Sequence, residues 1–161
     1  MTLLVPFDGS PLAEAALSRA VRFSESLDEP LVAVSVIPQQ NATYAREQGW
    51  LEADEPFEMD AVVAHLREQV AELAPEATFR HERVSRSARS GTIAKMLRRV
   101  ARQVEATIVF VGSANAGRLV RSLTSVGSNV ASDSTYDVLI VRHTTPQPLW
   151  DEPVADQVTR D

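Results

Sequence analysis

The chain has 161 residues, 44% of them hydrophobic, and a formal net charge of −6, which favours one domain with a proper core and argues against nucleic acid as the main partner. It contains no cysteine, so disulfides and thiol catalysis are excluded, and no apolar run is long enough to span a bilayer. The first residues lack the basic start and cleavage site of a signal peptide, and we therefore expect a cytoplasmic protein that contacts no membrane.

The first part of the chain alternates between short apolar runs and a helical pattern. Leu3-Leu4-Val5 predicts a buried strand that stops at the turn Pro6-Phe7-Asp8-Gly9. Ser10-Pro11 supplies a helix cap and a proline suited to the first helical position. Residues 31–37 predict a second strand, almost wholly apolar, as expected where helices cover both faces of a sheet. The helix between these strands should bury an apolar face formed by Leu12, Ala16, Ala20, Phe23 and Leu27.

The middle of the chain begins with residues 38–57, a polar stretch that contains Trp50 and several acids. Residues 77–84 predict a more polar strand at a sheet edge, and Ser90-Gly91 opens a further helix that carries Ile93, Met96, Leu97, Val100 and Val104. The helix between the polar stretch and the edge strand is amphipathic, with apolar positions at Met59, Val62, Val63, Leu66, Val70 and Leu73.

Residues 107–111 predict a fourth strand that runs into a glycine-punctuated loop. A short helix near residues 127–133 and a strand over residues 137–141 complete the alternation. Strands separated by helices predict a three-layer α/β/α fold with a five-stranded, mostly parallel sheet. We expect one domain over residues 1–143, followed by an irregular acidic tail over residues 144–161.

Ligands of such sheets bind at the carboxyl ends of the strands, where the strand order reverses. The loops after the first strand (residues 6–10) and after the fourth (residues 112–127) are therefore the candidate binding loops. A helix that starts at Gly127-Ser128 would aim free N–H groups at the crevice, although an ordinary loop-to-helix junction explains the same residues. Asp8 likewise has a simpler interpretation, as a turn residue that bonds its own backbone before the Ser10 cap.

Four motifs, in this order, resemble those of the universal stress protein family. They are Val5-Pro6-Phe7-Asp8-Gly9-Ser10, Val34-Ser35-Val36-Ile37-Pro38, Ser90-Gly91, and Val111-Gly112-Ser113 with the later Gly127-Ser128 and Tyr136-Asp137-Val138-Leu139-Ile140-Val141. The resemblance covers about residues 1–143 and implies the adenine-nucleotide α-hydrolase-like fold with strand order 3-2-1-4-5.

The same resemblance implies a site for ATP, with Mg²⁺, or for another adenine nucleotide between strands 1 and 4. Asp8 would lie beside the base and ribose, and Val36 would pack on the adenine, although on sequence alone Val36 is simply a core residue. Gly117 and Gly127-Ser128 match the second half of the family pattern Gly-x2-Gly-x9-Gly-(Ser/Thr), but Ala114 stands where its first glycine belongs. Counting from Gly112 instead puts Asn115 at the second glycine. The predicted binding residues are Pro6, Phe7, Asp8, Val36, Gly112, Asn115, Gly117, Gly127 and Ser128.

Catalytic patterns are sparse, so we expect a stress-response or regulatory module rather than an enzyme, with no catalytic residue and no metal site of its own. Asp8, Asp133 and Asp137 could hold Mg²⁺ only if a nucleotide supplied phosphates. Family members commonly form homodimers through the last strand, here Val138-Leu139-Ile140-Val141. Two alternatives stay open: a homodimeric interaction module whose remodelled loop binds no nucleotide, and a protein with slow ATPase or autophosphorylating activity.

Residues 80–102 contain eight basic residues and one acid, Glu82. Arg86 and Arg89 follow the predicted edge strand and could reach phosphates or a polyanion. The simpler interpretation is a solvated helix face at Arg98, Arg99 and Arg102, with the remaining cations paired to acids of residues 47–60. We also expect His65 and His81 to be surface residues rather than general bases.

Overall fold

Five parallel strands form the central sheet of the computed structural model, which describes residues 1–113 and 135–144. The strands are β1 (Thr2–Pro6), β2 (Leu31–Pro38), β3 (Thr78–Val84), β4 (Ala106–Gly112) and β5 (Asp137–Val141). Their order in the sheet is β3-β2-β1-β4-β5, and every neighbouring pair is parallel. The predicted fold class and strand order are therefore confirmed, as is the edge position of the polar strand β3.

Helices cover both faces of this sheet. Within residues 1–113 and 135–144 they are α1 (Pro11–Leu27), α2 (Ala42–Glu47), α3 (Met59–Leu73) and α4 (Ser90–Gln103). On one face, α1 and α3 pack on strand residues such as Leu3 and Phe110, whose ring lies edge-on to Phe23 with centroids 5.1 Å apart. On the other face, α4 packs on Leu4 and Val109. Successive strand residues point to opposite faces, and both faces are covered, which is why β1 and β4 are apolar except at Thr2 and Thr107.

Helix α1 begins as predicted, but its buried face differs from the prediction. The Ser10 hydroxyl caps the helix by accepting from the Ala13 N–H at 3.2 Å, and Pro11 opens its first turn. The helix ends where Asp28 adopts the left-handed conformation, with φ of 53°. Its buried residues are Ala13, Ala16, Leu17 and Ala20. Leu27 was predicted to be buried and is 51% exposed, because it lies in the last turn, beyond the part that the sheet covers.

The stretch between β2 and α3 is more structured than its polar composition predicts. It contains the short helix α2, capped by the Asn41 side chain, which accepts from the Tyr44 N–H at 2.9 Å. Trp50 and Leu51 follow and are only 5% and 6% exposed. Both pack into the same core cluster as α1 and α3. The predicted short helix at residues 127–133 and the acidic tail from residue 145 lie outside the described residues.

None of the helices in the described part of the chain combines the length and the apolar character that crossing a membrane requires.

Candidate functional site

The centre of the sheet contains the point where the strand order reverses. From β1 the chain passes to β2 and β3 on one side, and it returns to β4 and β5 on the other. Pro6, the last residue of β1, pairs with Val34, and β2 continues beyond it to Pro38. On the other side Leu4 pairs with Val109, so Gly112 at the end of β4 lies level with Phe7. The carboxyl ends of β2 and β4 thus flank the turn that follows β1, and we call this place the crevice.

Asp8 forms the turn that follows β1. Its Oδ1 accepts from the Ser10 N–H at 3.0 Å, and Ser10 in turn caps α1. Gly9 between them has φ of 78°, and a Cβ there would lie 2.8 Å from the Gln69 Oε1 atom of α3. A side chain at Gly9 would therefore be strained and also crowded. The simpler interpretation of Asp8, as a turn residue, is confirmed by these bonds, and the same turn places Asp8 beside the crevice.

Pro6 and Phe7 are buried and act as anchors for this turn. The Phe7 N–H donates to the Val34 carbonyl oxygen at 2.7 Å, and the Phe7 carbonyl oxygen accepts from the Ser35 hydroxyl at 2.6 Å. The Phe7 ring is 2% exposed and packs in the core with α1 and α3. Ser35 was not singled out from the sequence, although a lone serine within an apolar strand was the signal that could have revealed it.

Val36 lies on β2, two residues beyond Val34, which is the last residue of β2 that pairs with β1. It is 8% exposed and packs on the α4 side of the sheet. Its position agrees with a role at the wall of the crevice, and its burial also makes it part of the core. The register therefore places Val36 and the Asp8 turn at the same carboxyl end of the sheet.

Gly112 ends β4 beside the crevice, and its environment gives a packing reason for the glycine. A Cβ at this position would lie 2.7 Å from the Leu12 Cβ and 3.1 Å from the Leu12 backbone carbon. Real Cβ atoms do not approach other atoms so closely, so the absence of a side chain lets α1 begin directly against β4. The other predicted loop residues, Asn115, Gly117, Gly127 and Ser128, lie outside the described residues.

Trp50 also contacts the Asp8 turn, and sequence reasoning did not predict this contact. Its indole N–H donates to the Asp8 carbonyl oxygen at 2.6 Å. Buried tryptophans usually find an acceptor for this N–H, so the isolated Trp50 within a polar stretch was the available signal.

The arginines of β3 and the following loop are arranged differently from the prediction. Arg80 forms an ion pair with Glu82 at 2.6 Å rather than with an acid of residues 47–60, so the predicted partner is wrong for this residue. Both side chains lie on the same face of β3, two residues apart, where period-two spacing brings them together. Arg86 and Arg89 are exposed in the loop after β3, and the Arg86 carbonyl oxygen accepts from the Asn41 side-chain N–H at 2.9 Å.

The two histidines in question have different surroundings. His65 is exposed on α3, as predicted, whereas His81 is partly buried and stacks on Phe79 with centroids 6.4 Å apart. Burial lowers the pKa of His81, and the nearby Arg83 and Arg67 lower it further. Because β3 is the second strand from β1, His81 lies about 10 Å from the β1 axis in the plane of the sheet.

Asp137 is the first residue of β5, at the amino ends of the strands, whereas Asp8 follows the carboxyl end of β1. It pairs with Ile108, which pairs with Leu3, so the two acids are separated by about 16 Å along the strand direction. The two carboxylates cannot share one Mg²⁺ ion, whose ligands lie about 2 Å from the metal. Among residues 1–113 and 135–144 there is no cluster of three or more His or acidic side chains that could hold a metal ion.

The family model described as "Universal stress protein family" matches residues 1–142. The chain is similar to the solved universal stress protein UspA from Lactobacillus plantarum, with 20% identity, a TM-score of 0.55, and coverage of 88% of this chain and 97% of that one. It is also similar to a family member from Burkholderia pseudomallei (22% identity, TM-score 0.54, coverage 88% and 96%). A universal stress protein solved in complex with cAMP is 27% identical, with a TM-score of 0.48 and coverage of 90% and 98%.

No curated protein matches the chain. The match to the family model nevertheless extends over most of its length, and the sheet order agrees with the fold that the motifs implied. The chain belongs to the universal stress protein family.

Proposed function

We propose that this protein is a regulatory module of the stress response that binds ATP or a related adenine nucleotide in the crevice. The observation that carries the proposal is the Asp8 turn, which lies at the carboxyl end of the central strand, next to the point where the strand order reverses. Open α/β sheets bind their ligands at this place. Membership of the family supports an adenine nucleotide as the class of ligand.

Residues from three strands contribute to the proposed site. The Asp8 carboxylate would accept hydrogen bonds from ribose hydroxyls, and Val36 would present an apolar surface to the base. Gly112 allows β4 to end close to the first turn of α1, where the loop toward the phosphates begins. Asn115, Gly117, Gly127 and Ser128 would hold the phosphates through backbone N–H groups and a hydroxyl. We assign no protein ligand to Mg²⁺, because Asp137 lies too far from Asp8.

Asp8→Asn is the sharpest test of this site. The amide oxygen can still accept from the Ser10 N–H, so the turn should be retained while the negative charge is lost. We expect nucleotide affinity to fall about tenfold, because hydrogen bonds to a charged acceptor are stronger than those to a neutral one. Calorimetric titration with ATP and Mg²⁺, and separately with AMP, measures the change.

Asp54→Asn is the matched control, since Asp54 is exposed in the polar stretch. Its affinity should equal that of the unmodified protein. If the unmodified protein shows neither heat nor a thermal shift with any adenine nucleotide, the proposed function is wrong. Equal affinities for Asp8→Asn and the control would remove Asp8 from the site.

We place the protein among binding modules rather than enzymes. Within the part of the chain that the structure describes, His81 lies on the edge strand β3, two strands from β1, where it stacks on Phe79 and lies near Arg67. It therefore cannot act as a general base on a nucleotide bound near Asp8. Incubation with labelled ATP should accordingly yield neither free phosphate nor labelled protein, and either product would favour the slow ATPase or autophosphorylating alternative.

The exposed edge of β5 favours a second candidate property, a homodimer formed through this strand. Ile140 is 41% exposed on β5, the last strand of the sheet. An apolar edge strand pairs readily with a second copy of itself, because the backbone N–H and C=O groups on its outer side have no hydrogen-bond partner within the sheet. This dimer would serve either the nucleotide-binding module or the alternative interaction module.

Ile140→Asp should convert the dimer to a single species of 17.6 kDa, the mass of one chain. The introduced carboxylate would lose its hydration when the two strands pair, and this cost disfavours the dimer. Leu27→Asp is the control, because Leu27 is an exposed apolar residue at the end of α1 rather than on the edge strand. Sedimentation velocity at micromolar concentration decides the point, and a monomeric unmodified protein would reject the dimer.

A further inference from the structure

The segment of residues 39–51, which follows β2, contains a buried tryptophan, Trp50, that contacts the Asp8 turn of the candidate site. Most of the segment is exposed or partly exposed, yet the Trp50 side chain is 5% exposed. Its backbone N–H donates to the Ala45 carbonyl oxygen at 2.8 Å, which ties Trp50 to the end of α2. The Tyr44 ring lies edge-on to the indole, with centroids 5.6 Å apart and an interplanar angle of 66°. The indole is therefore fixed both by its backbone and by its neighbours.

The start of the same segment is fastened to the strand beyond it. The Gln39 N–H donates to the Val84 carbonyl oxygen at 2.9 Å, directly after β2 and β3 end. The Asn41 side-chain N–H donates to the Arg86 carbonyl oxygen at 2.9 Å, and its oxygen caps α2. The segment is thus held to the rigid sheet before it reaches Trp50, so the indole position is set by the fold.

The bond from Trp50 holds the backbone carbonyl of Asp8, the residue whose carboxylate is proposed to bind the nucleotide. The Asp8 carbonyl oxygen accepts from the indole N–H at 2.6 Å, while its Oδ1 accepts from the Ser10 N–H. Between them, Gly9 has φ of 78°, a conformation that a glycine can also leave easily. The direction of the Asp8 carboxylate therefore depends on contacts that restrain this flexible turn.

We propose that Trp50 is a positioning residue of the nucleotide site, which orients the Asp8 turn through its indole N–H. The inference rests on the proposed function for the identity of the ligand, whereas the restraint on the turn can be measured without any ligand. Trp50 itself touches no nucleotide in this proposal. It acts through Asp8, because its ring is enclosed by the core and by Tyr44.

Trp50→Phe tests the proposal, because phenylalanine keeps an aromatic ring in the core and removes the N–H donor. In the ligand-free protein, we expect hydrogen exchange of the Ser10 amide to become about fivefold faster, as one hydrogen bond is lost. We expect the dissociation constant for the adenine nucleotide to rise about fivefold for the same reason. Exchange mass spectrometry and calorimetry at a temperature where both proteins are fully folded give the two results.

Arg46→Ala is the matched control within the same segment. The Arg46 guanidinium donates to the Glu55 carbonyl oxygen at 3.1 Å, and the residue is exposed. It should leave both the Ser10 exchange rate and the nucleotide affinity unchanged. If Trp50→Phe fails to fold, the benzothiophene analogue of tryptophan, incorporated in a Trp150→Phe chain, replaces only the indole N–H by sulfur and keeps the ring shape.

Faster Ser10 exchange together with weaker nucleotide binding supports the proposal. Unchanged exchange and unchanged affinity in the folded variant overturn it. If the unmodified protein binds no adenine nucleotide, the proposed function fails, and the inference fails with it as a statement about a nucleotide site. The exchange rates of the ligand-free proteins then still show whether Trp50 restrains the turn, so the two failures are distinguishable.

Discussion

Gly112→Ala is expected to lower the free energy of unfolding by about 3 kcal/mol, the upper range for overpacking a tightly packed core. The added Cβ would lie 2.7 Å from the Leu12 Cβ, and 3.1 Å and 3.3 Å from the Leu12 backbone carbon and oxygen. Backbone atoms at the start of a helix cannot move aside as the end of a flexible side chain can. Either α1 or β4 must shift, and both form the main core. Urea unfolding measures the loss.

Gly91→Ala provides the control for this substitution. Gly91 lies in the first turn of α4, and a Cβ there would meet no atom within 4 Å. Its substitution should change the free energy of unfolding by no more than about 0.5 kcal/mol. A Gly112→Ala protein as stable as this control would contradict the packing explanation. Weaker nucleotide binding in such a stable variant would show that Gly112 serves the ligand instead.

Ser35→Ala is expected to lower the free energy of unfolding by about 2 kcal/mol, the cost of depriving a buried polar group of its partner. Ser35 is fully buried. Among residues 1–113 and 135–144, no other polar or charged residue is buried. Its hydroxyl donates to the Phe7 carbonyl oxygen at 2.6 Å, between β2 and the residue that precedes Asp8. The substitution therefore loosens the start of the Asp8 turn as well as the core.

Ser18→Ala is the appropriate comparison, because Ser18 is exposed in the middle of α1. Alanine is the better helix former, so this variant should be as stable as the unmodified protein or slightly more stable. Thermal unfolding followed by circular dichroism compares the two variants. Equal melting temperatures for Ser35→Ala and Ser18→Ala would show that the buried hydroxyl contributes nothing.

The strands and helices were predictable because their apolar periodicity reflects burial within single elements. The edge strand β3 illustrates this, since its polar residues predicted a position with less burial, and the sheet order confirms it. The predicted face of α1 was wrong at Leu27, because periodicity shows which side of a helix is apolar but not how far the sheet extends beneath it.

The candidate site was less predictable, because it depends on contacts between residues far apart in the chain. The motifs named Asp8 and Val36 as binding residues, and the sheet register places both at the carboxyl ends of their strands, which leaves their role a prediction. Trp50 lies 42 residues from Asp8 and Ser35 lies 28 residues from Phe7. No local pattern encodes such pairs. The predicted ion pair of Arg80 with an acid of residues 47–60 was wrong for the opposite reason, because Arg80 pairs with Glu82 of its own strand.

By itself, the sequence determined the fold class, the alternation of strands and helices, and the Asp8-Gly9-Ser10 turn with its helix cap, because each depends on local spacing and conformational preference. Its motifs in order indicated the family and, through it, the strand order. Only the tertiary structure decided which residues hold that turn and why Gly112 has no side chain. These facts arise where α1, β4 and the segment after β2 meet, and the distances between packed elements are fixed only when the whole core forms.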